Sequence, residues 1–421
     1  TSPSIKLWID TTTPPENPDV LILRAIRDAN PQSTQLAAMF DESKDPLLDW
    51  YDHQTGMGAS FDGIRCVSLK VNGFSLTSLD IQGLDKLRYL GCGGNNLTSL
   101  VVEGLTSISV LICNNCMLTT LDVNGLPLLD TFICSGNALT ELHMEGVQRL
   151  AYFSCYNNQL TSLDVSSLTE CVNFYCGNNQ LTSLDLAGIT GLELLDCAEN
   201  QLTTLDVSTL TDLGTISCGN NLLTSLDLSN QQVLRSIICH VNQLSALDIS
   251  NLHILEELYC SSNQITALNI TGLTTLKIIQ CGFNQISSLN VSGLPLLEYL
   301  DCTRNMLTSL VVSGLANLTD LRASENKLSS VNLSGLTSLS TLMLGIQDPG
   351  LTSIDITGLT ALTTLILSSN LLMEIPSITA IGNLAPYSYD FTYNSMPTTE
   401  TDRLIALGFE SQFVLPQNTI G

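Results

Sequence analysis

Between about residues 66 and 375 the chain repeats one pattern of apolar and polar positions every 21 residues. A fixed period of that length marks stacked repeats that grow along one axis. Cysteine is the natural origin of the count, because Cys92, Cys113, Cys134, Cys155, Cys176, Cys197, Cys218, Cys239, Cys260, Cys281 and Cys302 share one register. Asn follows at +3 from Asn95 to Asn326, Leu or Ile at +5, and further apolar columns at +8, +10, +13, +16 and +19. The last of these, which is −2 of the next cysteine, includes Phe132, Phe153 and Phe174. Apolar −2 and zero positions alternate with outward ones, which predicts a short parallel strand per repeat. Leu163, Asp164 and Val165 show the same alternation at +8 to +10. That segment reads as a second extended stretch on the return side, since so short a repeat leaves little room for a helix.

Both ends depart from the repeat. "NPDVLILRAIRDAN" reads as a helix with Pro18 in its first turn and Asn30-Pro31 ending it. "YSYDFTYN" (387–394) reads as a last, aromatic strand, and "TETDRLIALG" as a helix capped by Thr399 and stopped at Gly408. After Leu344 the repeat is two residues longer, which predicts a bulged turn near Gln347–Gly350. The organisation expected is a helical cap over 1–65, repeats over 66–375 and a small cap over 376–421.

The repeat resembles the leucine-rich repeat, LxxLx(L/C)xxNxL. Its 21-residue form with cysteine in a leucine column is most similar to bacterial cysteine-ladder repeats of the internalin J type. "PLLDWY" and "FDGIRCVSLKV" are similar to plant-type leucine-rich-repeat caps, with Trp50, Gly63, Ile64 and Cys66 matching and the usual extra cysteine pair missing. The resemblance implies a mostly β leucine-rich-repeat solenoid, a right-handed coil with parallel strands on its concave face. It also implies that each Asn bonds the turn backbone. The function it implies is that of a bacterial surface or secreted adhesin-like protein binding a host protein.

The net charge of −25 at pH 7 argues against nucleic acid and anionic membrane as partners. No apolar run approaches the length of a membrane span. The chain begins at Thr1 with no initiator methionine and no signal-peptide pattern, so it reads as trimmed, with its address removed. An extracellular or cell-surface location follows from the resemblance alone, and a monomer is expected.

Four readings of the cysteine column compete. Neighbouring parallel strands hold equivalent Cα atoms about 4.8 Å apart with parallel Cβ vectors, a poor geometry for a disulfide. Buried thiols are closed to metals and have raised pKa values, which removes redox reactivity. Packing remains: free cysteine behaves as a small hydrophobe, fitting where leucine would be too bulky. "CNNC" (113–116) looks like a CxxC motif, but Cys113 is the ladder position and Cys116 sits in the Asn column. The +9 column of Asp80, Asp122, Asp164, Asp185, Asp206, Asp227, Asp248 and Asp355 could offer oxygen ligands to Ca²⁺. Asn269, Asn290 and Asn332 replace it elsewhere, which favours a turn-forming role that needs no charge. His53, His143, His240 and His253 lie in different columns, and no nucleotide motif is present. No catalysis, cofactor or metal is expected.

Binding is expected on the outward columns −4, −3, −1, +1 and +2. Tyr89, Tyr152, Tyr156, Tyr175, Tyr259 and Tyr299 all fall there, joined by Phe283, and no Tyr or Trp of the repeats falls on the return side. Aromatic side chains on one rigid face are typical anchors for a partner. Asp196, Arg304 and Arg322 interleave with them among other charges. Two alternatives stay open: a carbohydrate-binding accessory protein and a scaffold without a specific ligand.

Overall fold

The computed structural model describes residues 17–40, 51–52, 57–62, 65–375, 378, 384 and 388–418. Its architecture is a β-solenoid of about 15 turns with parallel strands and few helices. The chain divides into two compact units, Thr1–Cys171 and Val172–Gly421.

In the first unit, α1 (Pro18–Ala29) starts at Asn17, whose side chain accepts from the Asp19 N–H, and α2 (Thr34–Met39) follows. The cap is not helical throughout: Met57–Asp62 pairs antiparallel with Arg65–Lys70, the strand that opens the parallel series. Asn30 ties α1 to the first turn, donating to the Ser78 carbonyl at 2.8 Å and accepting from the Thr77 N–H at 2.9 Å. Asp19, fully buried, holds Arg65 and accepts from the Cys66 N–H at 2.7 Å. Trp50, His53, Gly63 and Ile64 lie outside the described residues. Strands at Tyr89–Gly91, Val110–Ile112, Thr131–Ile133 and Tyr152–Ser154 then pair in 21-residue register.

The second unit continues with parallel strands from Asn173–Tyr175 to Thr364–Ile366, closed by Tyr389–Asp390. The exposed edge of that last strand is covered: the Phe391 N–H donates to Phe413 O at 2.8 Å and the Asn418 N–H to Asn394 O at 2.7 Å. Tyr389, Phe391, Phe409 and Phe413 pack there edge-on and stacked. The helix α3 (Thr398–Ala406) begins one residue before the expected cap Thr399. Pro397, fixed at φ −69°, supplies the carbonyl that accepts the Glu400 and Thr401 N–H groups, so Thr399 lies inside the helix. Gly408, at φ +98°, ends it as expected.

The return side is extended as expected, but a paired ladder forms there only locally. Thr120–Asp122 pairs with Glu141–His143, and single bridges join Leu289 to Leu310 and Val311 to Asn332. The +9 Asp residues instead accept from the N–H two residues on, as Asp206 does from Ser208 at 2.9 Å. Asn269, Asn290 and Asn332 make the same bond, so charge is dispensable at this corner.

Two ladders fill the interior. Asn263 is representative of the first. Its Nδ2 donates to Cys239 O at 3.0 Å and Cys260 O at 3.1 Å, while its Oδ1 accepts from the Leu244 N–H at 3.0 Å. Each Asn thus stitches its own turn to the preceding one and leaves few buried backbone groups unpaired. Cys116 takes over one position, its thiol donating to Cys92 O at 3.4 Å. Gln347 takes over another, reaching Ala323 O at 2.9 Å across the lengthened turn, where the Asp348–Pro349 peptide is cis.

The second ladder is the cysteine column. All fourteen cysteines are free and buried. Burial pushes the thiols of Cys239 and Cys281 up to about 12. The column passes to Ala323, Leu344, Leu367 and Phe391 without loss of strand register. Leucine is therefore not excluded from it, contrary to the size argument; interior shape, not sulfur chemistry, is what the column conserves along the chain.

Candidate functional site: the strand face

Each strand centre is buried and its two flanking residues are half-buried, the pattern in nearly every turn. The +2 residue that follows adopts a left-handed backbone: φ is +53° at Val241, +57° at Phe283, +54° at Arg304, +55° at Glu325 and +58° at Ile346. That geometry lets the +2 N–H donate across to the next turn, as Phe283 does to Thr303 O at 2.7 Å. It also turns the following Asn inward and the +2 side chain outward. Left-handed backbone costs an L-residue about 1–2 kcal/mol. The first unit places Gly73, Gly94, Asn115, Gly136 and Asn157 at these positions, residues that tolerate the conformation. The second unit keeps Asn178, Asn220, Ser262 and Ser369 at four of these positions but places Glu199, Val241, Phe283, Arg304, Glu325, Ile346 and Tyr393 at the others, with Val241, Phe283 and Ile346 about half exposed at 45%, 48% and 53%.

The sequence-selected residues fall into separate groups. Tyr89 is half-buried in the first unit, with the Lys70 ammonium 4.8 Å from its ring centre. Tyr152 and Tyr156 share a later turn of that unit and are also half-buried. In the second unit Tyr175 pairs in register with Asp196, whose carboxylate accepts its own turn's Ala198 N–H at 3.1 Å. Tyr259, Phe283, Tyr299, Arg304 and Arg322 come together on four consecutive turns. The Arg304 guanidinium lies 4.8 Å from the Phe283 ring centre and bonds Glu325 at 2.5 Å. Arg322 lies 5.4 Å from the Tyr299 ring centre and holds Asp320 through two bonds, at 2.8 and 3.1 Å. Glu256 bridges Arg235 at 2.9 Å and Lys277 at 2.6 Å, and those partners lower its pKa. These pairs hold long side chains in fixed positions on the face.

Beside this group is a depression of about 350 Å³ lined by Ile238, His240, Val241, Glu257, Tyr259, Ser261, Ser262 and Gln280. Sequence reasoning selected only Tyr259 of these. The others were legible by adding 21 residues along the outward columns, which sets Ile238 beside Tyr259 and Tyr259 beside Gln280. Among the described residues no group of three or more His, Cys, Asp or Glu side chains could hold a metal ion. No helix among them is long and apolar enough to cross a membrane.

No protein-family profile matches the chain. No curated protein matches it either. Solved structures do. The functional domain of InlJ from Listeria monocytogenes, described as including a cysteine ladder, is 27% identical over 78% of this chain and 73% of its own, with a TM-score of 0.53. The internalin InlF from L. monocytogenes is 26% identical over 77% of this chain and 86% of its own, with a TM-score of 0.56. YopM from Yersinia enterocolitica shares the fold at 23% identity over 89% of this chain and 85% of its own, with a TM-score of 0.67. With its 21-residue turns, asparagine ladder and column of buried thiols, the chain is a leucine-rich-repeat solenoid of the cysteine-ladder kind.

Proposed function

We propose that the chain acts by non-catalytic recognition of a protein, with the strand face of the second unit as its binding surface. The observation that carries this reading is the +2 column. Val241, Phe283, Arg304, Glu325 and Ile346 occupy a strained backbone there, at a column where the first unit uses only Gly and Asn among its described turns and the second unit itself uses Asn178 and Asn220. Strain kept at exposed positions is a mark of function, because folding alone would favour the relaxed residues. The aromatic and arginine side chains beside them are the types that dominate binding energy at interfaces. Likeness to InlJ and InlF supports an adhesin-like role at a bacterial surface, or secreted, toward a host protein.

The test is a binding screen of the purified chain against host extracellular proteins and a glycan array. A variant carrying Tyr259→Ala, Phe283→Ala and Tyr299→Ala is run beside it, with a second carrying Tyr152→Ala, Tyr156→Ala and Tyr175→Ala. Loss of a protein hit in the first variant, at unchanged melting temperature, is the expected result. A hit that survives both variants would refute the assignment to this face, and hits confined to glycans would refute the protein partner.

A further inference from the structure

The depression on the second unit's strand face has a chemistry narrower than general stickiness. Glu257 sits at its wall. Ser236 Oγ donates to Glu257 Oε2 at 3.0 Å and fixes the carboxylate. Its neighbour Glu256 is neutralised by Arg235 and Lys277, whereas Glu257 has no ion pair among the described residues. Tyr259 lies on the same strand, and burial together with the Glu257 charge raises its phenol pKa. Ile238 and Val241 add an apolar wall, and Gln280 closes the side toward the next turn. His240 lines it on the side of the preceding turn: its Nε2 is 3.3 Å from Asn220 Nδ2, and its ring lies over Gly219, where a Cβ would come within 2.9 Å of it. A carboxylate fixed by one hydroxyl, with no ion pair among the described residues, beside an aromatic face and an aliphatic wall complements one kind of group. The methylene stem of a long basic side chain packs on Ile238 and Val241, its planar cation stacks on Tyr259, and its N–H groups meet Glu257.

We propose that this depression is an anchor pocket for an arginine side chain of the protein partner. The proposal rests on the strand-face reading above and names the partner chemistry that reading leaves open. A chain with a net charge of −25 favours approach of a basic partner segment.

The experiment is saturation-transfer NMR on the full chain, with N-acetyl-arginine amide as probe. N-acetyl-citrulline amide and a set of methyl pyranosides are the comparisons. Citrulline keeps the shape of arginine and loses its charge. The arginine probe should saturate, with its δ-methylene and side-chain signals strongest, and citrulline should not. Glu257→Gln should weaken the arginine signal about tenfold, the size of one lost charged hydrogen bond. Tyr259→Leu should weaken it as well, and Tyr259→Phe should retain it. Melting curves confirm that each variant is folded. Equal saturation by arginine and citrulline, no change in Glu257→Gln, or signal from pyranosides alone would overturn the proposal. Failure here alongside a protein hit lost in the Tyr259, Phe283 and Tyr299 variant overturns the arginine pocket and leaves the strand-face reading standing.

Discussion

Replacing Val241 and Ile346 by Asn should make the protein more stable, although both changes remove apolar side chains. Each residue is β-branched and held at φ +53° or +58°, a conformation that is a true outlier for such residues. The strain is about 1–2 kcal/mol per residue, and Asn visits this region at little cost. Against that gain stands lost packing, which is small because Val241 is 45% exposed and Ile346 53% exposed. Allowing about half of the strain for lost contacts, the net gain is about 0.5–1 kcal/mol per site. The sites are five turns apart, so the effects should add to about 1–2 kcal/mol in the double variant. Urea denaturation followed by circular dichroism measures it as a rise in midpoint at constant slope. The same double variant should bind the partner more weakly. A fall in midpoint in either single variant would refute the strain argument and, with it, the observation on which the functional reading rests.

The interior and the turns can be tested in the same way. Asn263→Ala should cost about 3 kcal/mol, since it orphans the Leu244 N–H and removes one of the Asn bonds to each of Cys239 O and Cys260 O. Asn263→Cys should cost about half as much, as Cys116 fills the same column with a donating thiol; equal losses in urea denaturation would contradict the ladder account. Gln231 occupies a leucine column, fully buried; its Nε2 donates to Val207 O at 2.6 Å but its Oε1 lacks a hydrogen-bond partner, and Val207 O keeps the Leu210 N–H, so Gln231→Leu should raise stability by about 0.5–1 kcal/mol in the same assay. The thiols should resist alkylation at neutral pH until the chain unfolds, because burial holds Cys239 and Cys281 at about 12; mass spectrometry of native and urea-treated protein counts the labels. Hydrogen bonds from Ser208, Ser229 and Ser250 lower the pKa values of Asp206, Asp227 and Asp248. The stabilisation these carboxylates give is therefore present above the unfolded Asp pKa and lost as pH falls through the lower folded values. At neutral pH Asp227→Asn should melt between the parent and Asp227→Ala, because the amide oxygen still accepts from the Ser229 N–H but lacks the charge, as differential scanning calorimetry would show.

Much of this molecule could be read from one period. Adding 21 to Cys92 locates the strands, the Asn ladder and the buried column, because in a stacked repeat each residue's neighbour is its own equivalent one turn on. The return side was less legible. Leu-Asp-Val alternation predicts an extended segment, but whether neighbouring segments close enough to pair depends on the width of each turn, and among the described residues only Thr120–Asp122 with Glu141–His143 forms a true ladder. The start of α3 was missed because Pro397 can cap with its carbonyl alone, which a search for a side-chain cap overlooks. The left-handed +2 position left one trace, the Gly and Asn of the early turns, but Val241, Phe283 and Ile346 hid it downstream. Glu257 was visible only as one more charge among many, since its lack of an ion pair among the described residues depends on Glu256 holding both Arg235 and Lys277.

The central claim is that the strand face of the second unit meets the partner. Hydroxyl-radical footprinting of the complex with a protein hit tests it residue by residue. Tyr259, Phe283 and Tyr299 should be protected, with the exposed Leu222, Leu296 and Val311 off that face oxidised as in the free chain. Protection of Leu296 and Val311, with the three aromatic residues unchanged, would contradict it.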